Sequence, residues 1–499
     1  MYGLPENQRD RHRYPGMQEF AFDFLRAAVA LCRAYEHVII NIMMNCVLHG
    51  IKILAVITLG TLILQHLHYL PFLNSSLSAC ANSGNTTNVS RGKQVNVSGP
   101  QTSSGDDFIT FGQAITNALD WNNISSLNEK ETVEAAKKLF HVAFDYAVME
   151  PRVAINTTCR LPTSSFPPIP DHCSSQISEI FTGMARTTPR RVGHAIQLGF
   201  DVDTLEIHLR ELQGVVDKVF IIEWNMPHNQ ILSPKPLAWE AVKRQERFAF
   251  ATDDFLVHLL MDDLDSAFTD PNNMWSVEGR QEQTRWNKIK AWNEQTNYFG
   301  KDDLIGFGDT DEIASRNNIY LLKHCEWKAP GPVDVGIYFP IGTIDSAFRT
   351  DFPVSGHPYS LGDPTFFTWD NAIQQASQQQ LPNRRRGKSP FWILGGAHMT
   401  NYGYLGYKIL KSLSCSECAG TAQSVHGYLM SFHDVVQSGR WADYEQQRSE
   451  LPPSWEKRTI SVSQLPPKEQ ERLVYVPWFY NCNRGRYSMW EGITDSRVG

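Results

Sequence analysis

The feature that most constrains this chain is an apolar run that ends in three carboxylates within four positions. Residues 302–313 read DDLIGFGDTDEI, and such a run is typical of a strand buried on both faces of a parallel sheet. In an open α/β sheet, ligands bind outside the carboxyl ends of the strands. Asp309 and Asp311 leave the strand at that end, and alternate residues of an extended chain point the same way. The run therefore predicts an α/β fold with two carboxylates at its ligand-binding edge.

Two carboxylates so placed predict a site for a hard divalent cation. Mg²⁺ and Mn²⁺ prefer oxygen ligands, and the phosphates of a substrate can complete their coordination. The alternative is a solvated acidic turn that caps a helix beginning near Ser315. His398 ends the segment GGAH (395–398), and it either completes a metal or phosphate site or is structural.

Composition excludes several classes of protein. The chain has 499 residues, of which 42% are hydrophobic and 20% charged, and these are ordinary values for globular domains. The net charge of −7 argues against a nucleic-acid binder. Nine cysteines are too few for a disulfide scaffold, and a single Cys-x-x-Cys does not suit a zinc ribbon.

The N-terminal region predicts a membrane anchor. Residues 51–70 form an apolar run of about the 20 residues that a bilayer core requires, with Lys52 at its leading edge, where a lysine can reach the headgroups. We assign residues 1–50 to a cytoplasmic tail and membrane-proximal segment and 51–73 to one transmembrane helix. Arginines before the span favour a cytoplasmic N-terminus. A buried core helix is the alternative.

Residues 74–185 are predicted to form a glycosylated stem. All six Asn-x-Ser/Thr sequons follow the apolar run and none lies beyond residue 160, namely Asn74, Asn85, Asn88, Asn96, Asn123 and Asn156. Sequons crowded into a Ser/Thr/Asn-rich tract indicate an exposed segment in a secretory compartment, where disulfides are permitted. Cys159 and Cys173 are close enough in sequence to pair, as are Cys415 and Cys418.

A helix at about 127–149 lies within this stem. Residues 126–129 read SLNE, a pattern typical of a capping box that starts at Ser126. The apolar residues that follow share one face, so the helix packs on the main domain or self-associates. Prolines between residues 162 and 170 break regular structure, and the main domain is expected to span residues 186–499.

Further candidate residues follow the predicted strand 219–222. Glu223 and Asn225 stand at its carboxyl end, and Glu223 either touches a nucleotide or is satisfied by a nearby backbone amide. Lys235 lies between two prolines as a phosphate or sugar contact or as a surface lysine. Arg285 shares a helix face with Lys288 and could aim at a diphosphate or lie on the surface. Residues 374–388, Gln-rich and then basic, are interpreted as an exposed loop.

The order and spacing of these segments resemble glycosyltransferase family 17, the β-1,4-mannosyl-glycoprotein β-1,4-N-acetylglucosaminyltransferase group. The matching segments are DTLEIHLREL (203–212), DKVFIIEWN (217–225), PKPL (234–237), DDLIGFGDTDEI (302–313) and GGAH (395–398). PWFYNCN (477–483) is a weaker match. The resemblance therefore covers about residues 199–490.

This resemblance implies a GT-A-like nucleotide-sugar transferase domain, with a Rossmann-like mixed sheet flanked by helices. It implies inverting transfer of N-acetylglucosamine from UDP-GlcNAc, in β-1,4 linkage, to a mannose of an N-linked glycan on a glycoprotein. It also implies a single-pass type II Golgi membrane protein with a lumenal catalytic domain. The alternatives are a transferase of the same fold with another sugar donor or acceptor, and a non-catalytic Golgi glycan-binding protein.

Roles for individual residues also follow from the resemblance. Asp309 and Asp311 would hold Mn²⁺ or Mg²⁺ against the UDP diphosphate, with His398 as a further candidate ligand. The nucleotide sugar would lie near four residues, which are Glu223, Asn225, Lys235 and Arg285. Inversion requires a carboxylate base beside the acceptor hydroxyl, and both Glu312 and Glu417 are candidates.

Overall fold

The computed structural model describes residues 111–151, 153–162, 173, 180–228, 232–261, 276–328, 331–354, 356–400, 405–414, 421–438 and 457–491. The predicted cytoplasmic tail, the predicted membrane anchor and Glu417 lie outside these ranges, as does the predicted pair of Cys415 and Cys418. Among the helices within them, none has the length and apolar character needed to cross a bilayer.

The α-helices are α1 (Phe111–Ala118), α2 (Glu129–Ala147), α3 (Val202–Leu212), α4 (Ala238–Val242), α5 (Ser276–Thr296), α6 (Arg316–His324), α7 (Trp369–Ser377), α8 (Leu405–Ser414), α9 (Ala422–Ser438), α10 (Pro467–Leu473) and α11 (Trp478–Cys482). Short 3₁₀ helices span Trp121–Ser126, Glu246–Phe248, Val462–Gln464 and Arg484–Glu491.

The strands are β1 (Phe181–Ala185), β2 (Val192–Leu198), β3 (Lys218–Trp224), β4 (Leu256–Met261), β5 (Leu304–Asp309), β6 (Glu312–Ala314), β7 (Cys325–Trp327), β8 (Val333–Tyr338), β9 (Pro340–Ile341), β10 (Thr343–Phe348), β11 (Ser360–Thr368), β12 (Phe391–His398) and β13 (Thr459–Ser461).

One mixed sheet organises the fold. Its eight strands lie in the order β4-β3-β2-β5-β11-β8-β12-β6. β4, β3, β2 and β5 are mutually parallel, and β11 runs antiparallel to both β5 and β8. Two smaller sheets pair β1 with β7 and join β13, β10 and β9. The predicted mixed α/β fold is therefore confirmed for the described part of the chain.

The central strands are buried on both faces, as the apolar runs predicted. Ile305 and Phe307 of β5 belong to one core cluster, whereas Leu304 belongs to the other. Gly306 between them is required by packing, because a Cβ there would lie 2.5 Å from the ring of His194 and 2.6 Å from that of Phe366. The strand can therefore pass between two packed layers only with glycine at this position.

The local start of α2 differs from the prediction. Asn128, not Ser126, caps the helix, because its side chain accepts from the amide of Glu131 while the Glu131 carboxylate accepts from the amide of Asn128. The Ser126 hydroxyl instead donates to the Asn123 carbonyl oxygen and closes the preceding 3₁₀ helix. α2 packs against α8 and α9 and contributes to the same core as the sheet, so the predicted packing on the main domain is confirmed.

The cysteines of the predicted stem pair with distant partners. Cys159 is bonded to Cys482 and Cys173 to Cys325, so the pairing of Cys159 with Cys173 is wrong. The partners are 323 and 152 residues apart, and proximity in sequence was therefore a poor guide to connectivity. The domain boundary near residue 185 stays a prediction.

Candidate active site

The carboxyl end of β5 lies where the order of the parallel strands reverses. β2, β3 and β4 follow one another to one side, and β5 then pairs with the opposite edge of β2. Asp309 is the last residue of β5 and lies opposite Gln197 of β2. Ligands of open α/β sheets bind in the crevice at such a reversal. Asp309 therefore lies at the position where this fold is expected to bind a ligand.

Three contacts fix the turn that carries the two aspartates. Thr310, which lies between them, donates its hydroxyl to the carbonyl oxygen of Gln197 at 2.9 Å. The carbonyl oxygen of Thr310 lies 2.9 Å from Nδ1 of the buried His208. The amide of Asp309 donates to a carboxylate oxygen of Glu312 at 2.8 Å. The turn is thus bonded to β2, to α3 and to its own C-terminal side.

Both aspartates line a cavity at this edge of the sheet, which we call the first cavity. Its walls come from segments that follow β2, β3 and β5, with the last turn of α8 on one side. The lining residues are Gln197, Leu198, Gly199, Phe200, Asp201, Trp224, Met226, Pro227, His228, Lys235, Met261, Gln281, Asp309, Thr310, Asp311, Lys411 and Ser414. A concave site with apolar walls and a few charged groups is typical of small-molecule binding.

A second cavity, of about 510 Å³, adjoins the first. Its volume falls within the range of ligand pockets. The lining residues are His228, Glu278, Asp309, Asp311, Glu312, Phe339, Phe348, Thr350, Asp351, Phe352, Leu361, Asp363, Arg384, Arg386, His398, Lys411 and Arg458. Asp309 and Asp311 line both cavities and therefore lie at the junction between them.

One guanidinium group contacts four carboxylates beside this junction. Nη1 of Arg384 binds Asp309 and lies 3.1 Å from Glu312, and Nη2 lies 2.9 Å from Glu278 and 3.4 Å from Glu282. We call these five residues the site cluster. Burial would lower the pKa of Arg384, but the negative charges around it raise that pKa well above its usual value.

The basic loop is therefore not simply exposed, and this prediction is wrong for Arg384. Its side chain is 5% exposed, although the arginine was interpreted as part of a solvated loop. The first residues of the segment belong to α7, and Arg384 and Arg386, which follow, contact the acidic cluster, whereas Lys388 is exposed. Arg386 joins Glu278 at 3.1 Å but stays 37% exposed. Attraction by distant carboxylates, which local sequence does not report, accounts for the difference.

Asp311 faces positive and titratable groups. Nε2 of His398 lies 3.5 Å from its carboxylate, as the prediction of a shared site requires. Burial alone would raise the pKa of Asp311, but the charges of His398 and Lys411 and a hydrogen bond from Thr400 lower it. Burial lowers the pKa of His398 more than Asp311 raises it. Asp311 is thus held as a carboxylate at neutral pH.

Glu312 is one of the two candidate bases. It is buried and lines the second cavity. Burial is the main reason that the pKa of Glu312 is raised well above its usual value, and the charge of Asp363 adds to the effect. General base catalysis is most efficient when the pKa of the base lies near the working pH, and a raised pKa moves Glu312 in that direction. Glu417 lies outside the described residues.

Glu223 and Lys235, two of the four residues predicted near the nucleotide, are both buried, and Nζ of Lys235 lies 4.0 Å from the Glu223 carboxylate. Glu223 is completely buried and accepts from the backbone amides of Ala238 and Trp239 at the start of α4. The structural alternative considered for Glu223 is therefore what the structure shows. Lys235 lines the cavity but donates to the Gly199 carbonyl oxygen at 3.1 Å, and burial lowers its pKa.

The other two nucleotide candidates also turn towards protein groups. Arg285 is fully buried, donates to the Asn383 side chain and lies with its guanidinium carbon 5.3 Å from the ring centre of Phe307. The carbonyl oxygen of Asn225 accepts from the Lys235 amide, while its buried Oδ1 has no hydrogen-bond partner within the described part of the chain. Neither Arg285 nor Asn225 is among the described residues that line the two cavities.

Sequence reasoning missed several groups of this site. Asp201 lines the first cavity, and burial together with the charge of Asp311 raises its pKa to about 7. Asp363 lines the second cavity, and burial raises its pKa to about 7. Asp201 follows the end of β2, a position that could have been flagged in the same way as Asp309. Glu278 and Arg384 come from α5 and a loop, and no local pattern identifies them.

One carboxylate oxygen of Asp309 could serve as a ligand to a divalent cation. Oδ1 of Asp309 is buried and has no hydrogen-bond partner among the described residues, so this oxygen is oriented for a ligand that the protein itself does not supply. No set of three or more His, Cys, Asp or Glu side chains in the described ranges is arranged to hold a metal ion. Mg²⁺ is commonly held by one or two carboxylates and substrate phosphates, and the aspartate pair fits that pattern.

Comparison with known proteins gives a family for this region. Residues 167–332 match the model of glycosyltransferase family 17. The matched region contains the aspartate pair and the segments around β3 and α3, whereas residues 395–398 and 477–483 lie beyond it. No curated protein matches the chain. The resemblance inferred from the motifs is therefore confirmed for residues 167–332, a region that is similar to glycosyltransferase family 17.

Proposed function

We propose that this chain transfers N-acetylglucosamine from UDP-GlcNAc, in β-1,4 linkage, to a mannose of an N-linked glycan on a glycoprotein. The observation that carries the proposal is the meeting of two cavities at Asp309 and Asp311. A transferase must hold a donor and an acceptor side by side so that their reacting atoms are close. The family match supports the glycosyl transfer, and the identity of donor, acceptor and linkage is our proposal.

In this proposal the donor occupies the first cavity. The cavity lies at the strand-order reversal, where nucleotides bind in related open sheets. Asp309 and Asp311 would hold Mn²⁺ or Mg²⁺, with the unpartnered oxygen of Asp309 as one ligand. A bound cation of this type stabilises the negative charge of a departing diphosphate. Lys411 lines both cavities and places a further positive charge near the same position.

The acceptor would occupy the second cavity. Phe339, Phe348 and Phe352 line it, and apolar sugar faces pack against aromatic rings. In an inverting transfer, the acceptor hydroxyl oxygen forms a bond to the anomeric carbon while the bond from that carbon to the diphosphate oxygen breaks. The hydroxyl proton goes to a carboxylate base, for which Glu312 is the candidate that lines this cavity.

The cellular setting is part of the same proposal. Residues 51–73 would anchor the chain in the Golgi membrane as a single-pass type II protein, with residues 186–499 in the lumen. The sequons and the long-range disulfides of Cys159 and Cys173 suit a secretory compartment. Expression with a tag at each end, followed by protease protection of sealed Golgi vesicles, tests the orientation.

The test of the function is a donor panel assayed with the purified full-length chain. With Mn²⁺ and a glycopeptide that carries an N-linked glycan, we expect UDP release from UDP-GlcNAc and little release from UDP-galactose or UDP-glucose. Mass and linkage analysis of the product should show one added N-acetylglucosamine on mannose. Asp311→Ala should abolish release, whereas Asp302→Asn, which changes a 78% exposed carboxylate of the same segment, should not.

A non-catalytic glycan-binding protein is the second candidate, and the contact of Arg384 with Asp309 is the observation that favours it. If that contact were permanent, the carboxylate could not serve a cation. The same assay separates the two candidates, because a binding protein would retain the glycopeptide on a column without UDP release and without any response to Mn²⁺.

A further inference from the structure

The guanidinium of Arg384 is saturated by protein carboxylates. Its two terminal nitrogens together contact Asp309, Glu312, Glu278 and Glu282 at 3.4 Å or less. Its remaining nitrogen, Nε, is buried and has no hydrogen-bond partner among the described residues. An arginine in this position does not present a free edge to a phosphate, so its evident role is to balance the charge of the cluster.

The backbone that follows Arg384 is anchored to the central sheet. The amide of Arg385 donates to the Thr365 hydroxyl at 2.8 Å, and that of Gly387 donates to the Gly362 carbonyl oxygen at 2.8 Å. Thr365 and Gly362 belong to β11, next to β5. Arg384 is therefore tethered beside Asp309, and its side chain alone can withdraw while the loop base stays in place.

A guanidinium and a divalent cation compete for the same carboxylate. The bound oxygen of Asp309 is occupied by Arg384, and only Oδ1 remains without a partner. A divalent cation on Oδ1 would bring like charges close together in a partly buried site, where repulsion is stronger than in water. The carboxylates released by Arg384 would then be balanced by the incoming cation, so one positive group can replace the other.

We propose that Arg384 is a built-in counter-cation that occupies Asp309 until a divalent cation displaces it, so that metal binding is coupled to withdrawal of this side chain. The inference rests on the proposed function, since it takes Asp309 and Asp311 as the cation-binding pair. It goes beyond that function, because it assigns a competing role to a residue outside the region that matches the family. Arg384 sets the apparent affinity of the site for the cation.

The test is a titration of the full-length protein with Mn²⁺ alone, in which free Mn²⁺ is followed by electron paramagnetic resonance. Arg384→Gln removes the competitor, so we expect Mn²⁺ to bind at least about tenfold more tightly than to the unaltered protein. Arg385→Gln is the matched control, because it removes the same charge one residue along the loop, and its affinity should equal that of the unaltered protein.

Thermal unfolding gives a second reading of the same competition. Without metal, Arg384→Gln leaves its carboxylates poorly compensated and should melt at a lower temperature than the unaltered protein. Saturating Mn²⁺ should raise the melting temperature of the variant more than that of the unaltered protein. If Arg384→Gln does not melt cooperatively, Arg384→Lys replaces it, since a lysine keeps the charge but cannot span four carboxylates, and it should also bind Mn²⁺ more tightly.

Equal affinity of the unaltered protein and the variant for Mn²⁺ would overturn the proposal, as would weaker binding by the variant. Absence of Mn²⁺ binding in both would overturn it as well. These outcomes are separable from failure of the proposed function, because the titration uses no donor, acceptor or turnover. A variant that binds Mn²⁺ more tightly but releases no UDP from any sugar donor would support the competition and contradict the catalytic role.

Discussion

Two clusters of charged side chains in this molecule differ in burial, in their numbers of acidic and basic groups, and in access to the cavities. The α3 cluster comprises Asp203, Glu206, Arg247 and Arg486, with all four side chains at most 4% exposed. Two carboxylates there face two guanidinium groups. In the site cluster, four carboxylates share Arg384, and several members line the two cavities.

The difference separates a cluster that stabilises the fold from one that lines the candidate site. None of the four residues of the α3 cluster is among the described residues that line the two cavities, and Arg486 ties the C-terminal 3₁₀ helix to α3 through Glu206 at 3.2 Å. The site cluster sets four carboxyl groups against one guanidinium and has an unpartnered oxygen on Asp309. Burial of charge alone therefore does not mark a functional site, whereas an unpartnered carboxylate oxygen at the wall of a cavity is typical of one.

The largest expected effect comes from breaking the α3 cluster. Arg247→Met removes the cation that lies 2.7 Å from Asp203, and loss of one partner from a buried ion pair costs about 3–5 kcal/mol. Urea unfolding followed by circular dichroism measures the change. Arg244→Met, at an exposed position, should alter the free energy of unfolding by less than about 0.5 kcal/mol. Equal loss in both variants would contradict the structural role of the α3 cluster.

The next effect should fall on catalysis rather than on stability. Asp309→Asn keeps the shape of the side chain but removes the charge that we propose holds the cation, and loss of such electrostatic stabilisation should lower kcat by about 10²–10³. Initial rates of UDP release measure this, with Asp302→Asn as the control. If Asp309→Asn kept its rate and instead lost several kcal/mol of stability, the two clusters would have exchanged roles.

A smaller effect should appear in the dependence of stability on pH. The pKa of Asp201 is raised to about 7 in the folded protein, so the folded state holds its proton above the usual aspartate pKa, and this group's contribution to stability falls as pH rises from about 4 to about 7. Asp201→Asn removes the penalty. Its stability relative to the unaltered protein should rise across that window by at most about 1.4 kcal/mol per pH unit.

Urea unfolding at several pH values measures the Asp201 effect. Asp253→Asn, at an exposed position, is the control and should show no such trend. A pH-independent difference between Asp201→Asn and the unaltered protein would show that the pKa of Asp201 is not raised in the folded state.

The smallest effect is expected at the rim of the second cavity. Phe352 is 42% exposed, and loss of one aromatic contact with a sugar would weaken acceptor binding by about 0.5–1.5 kcal/mol. Phe352→Ala should therefore raise the KM for the glycopeptide severalfold and leave kcat nearly unchanged. Met184→Ala, at a 61% exposed position that is not among the cavity-lining residues, is the control. A fall in kcat with unchanged KM would remove Phe352 from acceptor binding.

The elements that sequence predicted well are those whose pattern is local. The run of residues 304–308 reports burial on both faces, and the position of Asp309 at the end of β5 follows from it. The predicted strand at residues 219–222 likewise lies within β3 (Lys218–Trp224). In each case periodicity and composition within ten residues were sufficient.

The features that sequence missed depend on partners far along the chain. Arg384 lies 75 residues from Asp309 and 106 from Glu278, so no local pattern could distinguish it from a solvated arginine. Glu223 was placed beyond the end of a strand, but β3 continues through Trp224 because that residue still pairs with Met261 of β4. The pairing of β3 with β4 therefore places Glu223 inside the strand, which the local sequence did not indicate.

Calorimetric titration of the full-length chain with UDP-GlcNAc, with and without Mn²⁺, tests the central claim most directly. The claim is that Asp309 and Asp311 hold a cation that holds the diphosphate of the donor. We expect binding that depends on Mn²⁺ and is lost when both residues are changed to Asn, in a protein that still melts cooperatively. Unchanged affinity for UDP-GlcNAc in that double variant would contradict the assignment of the site.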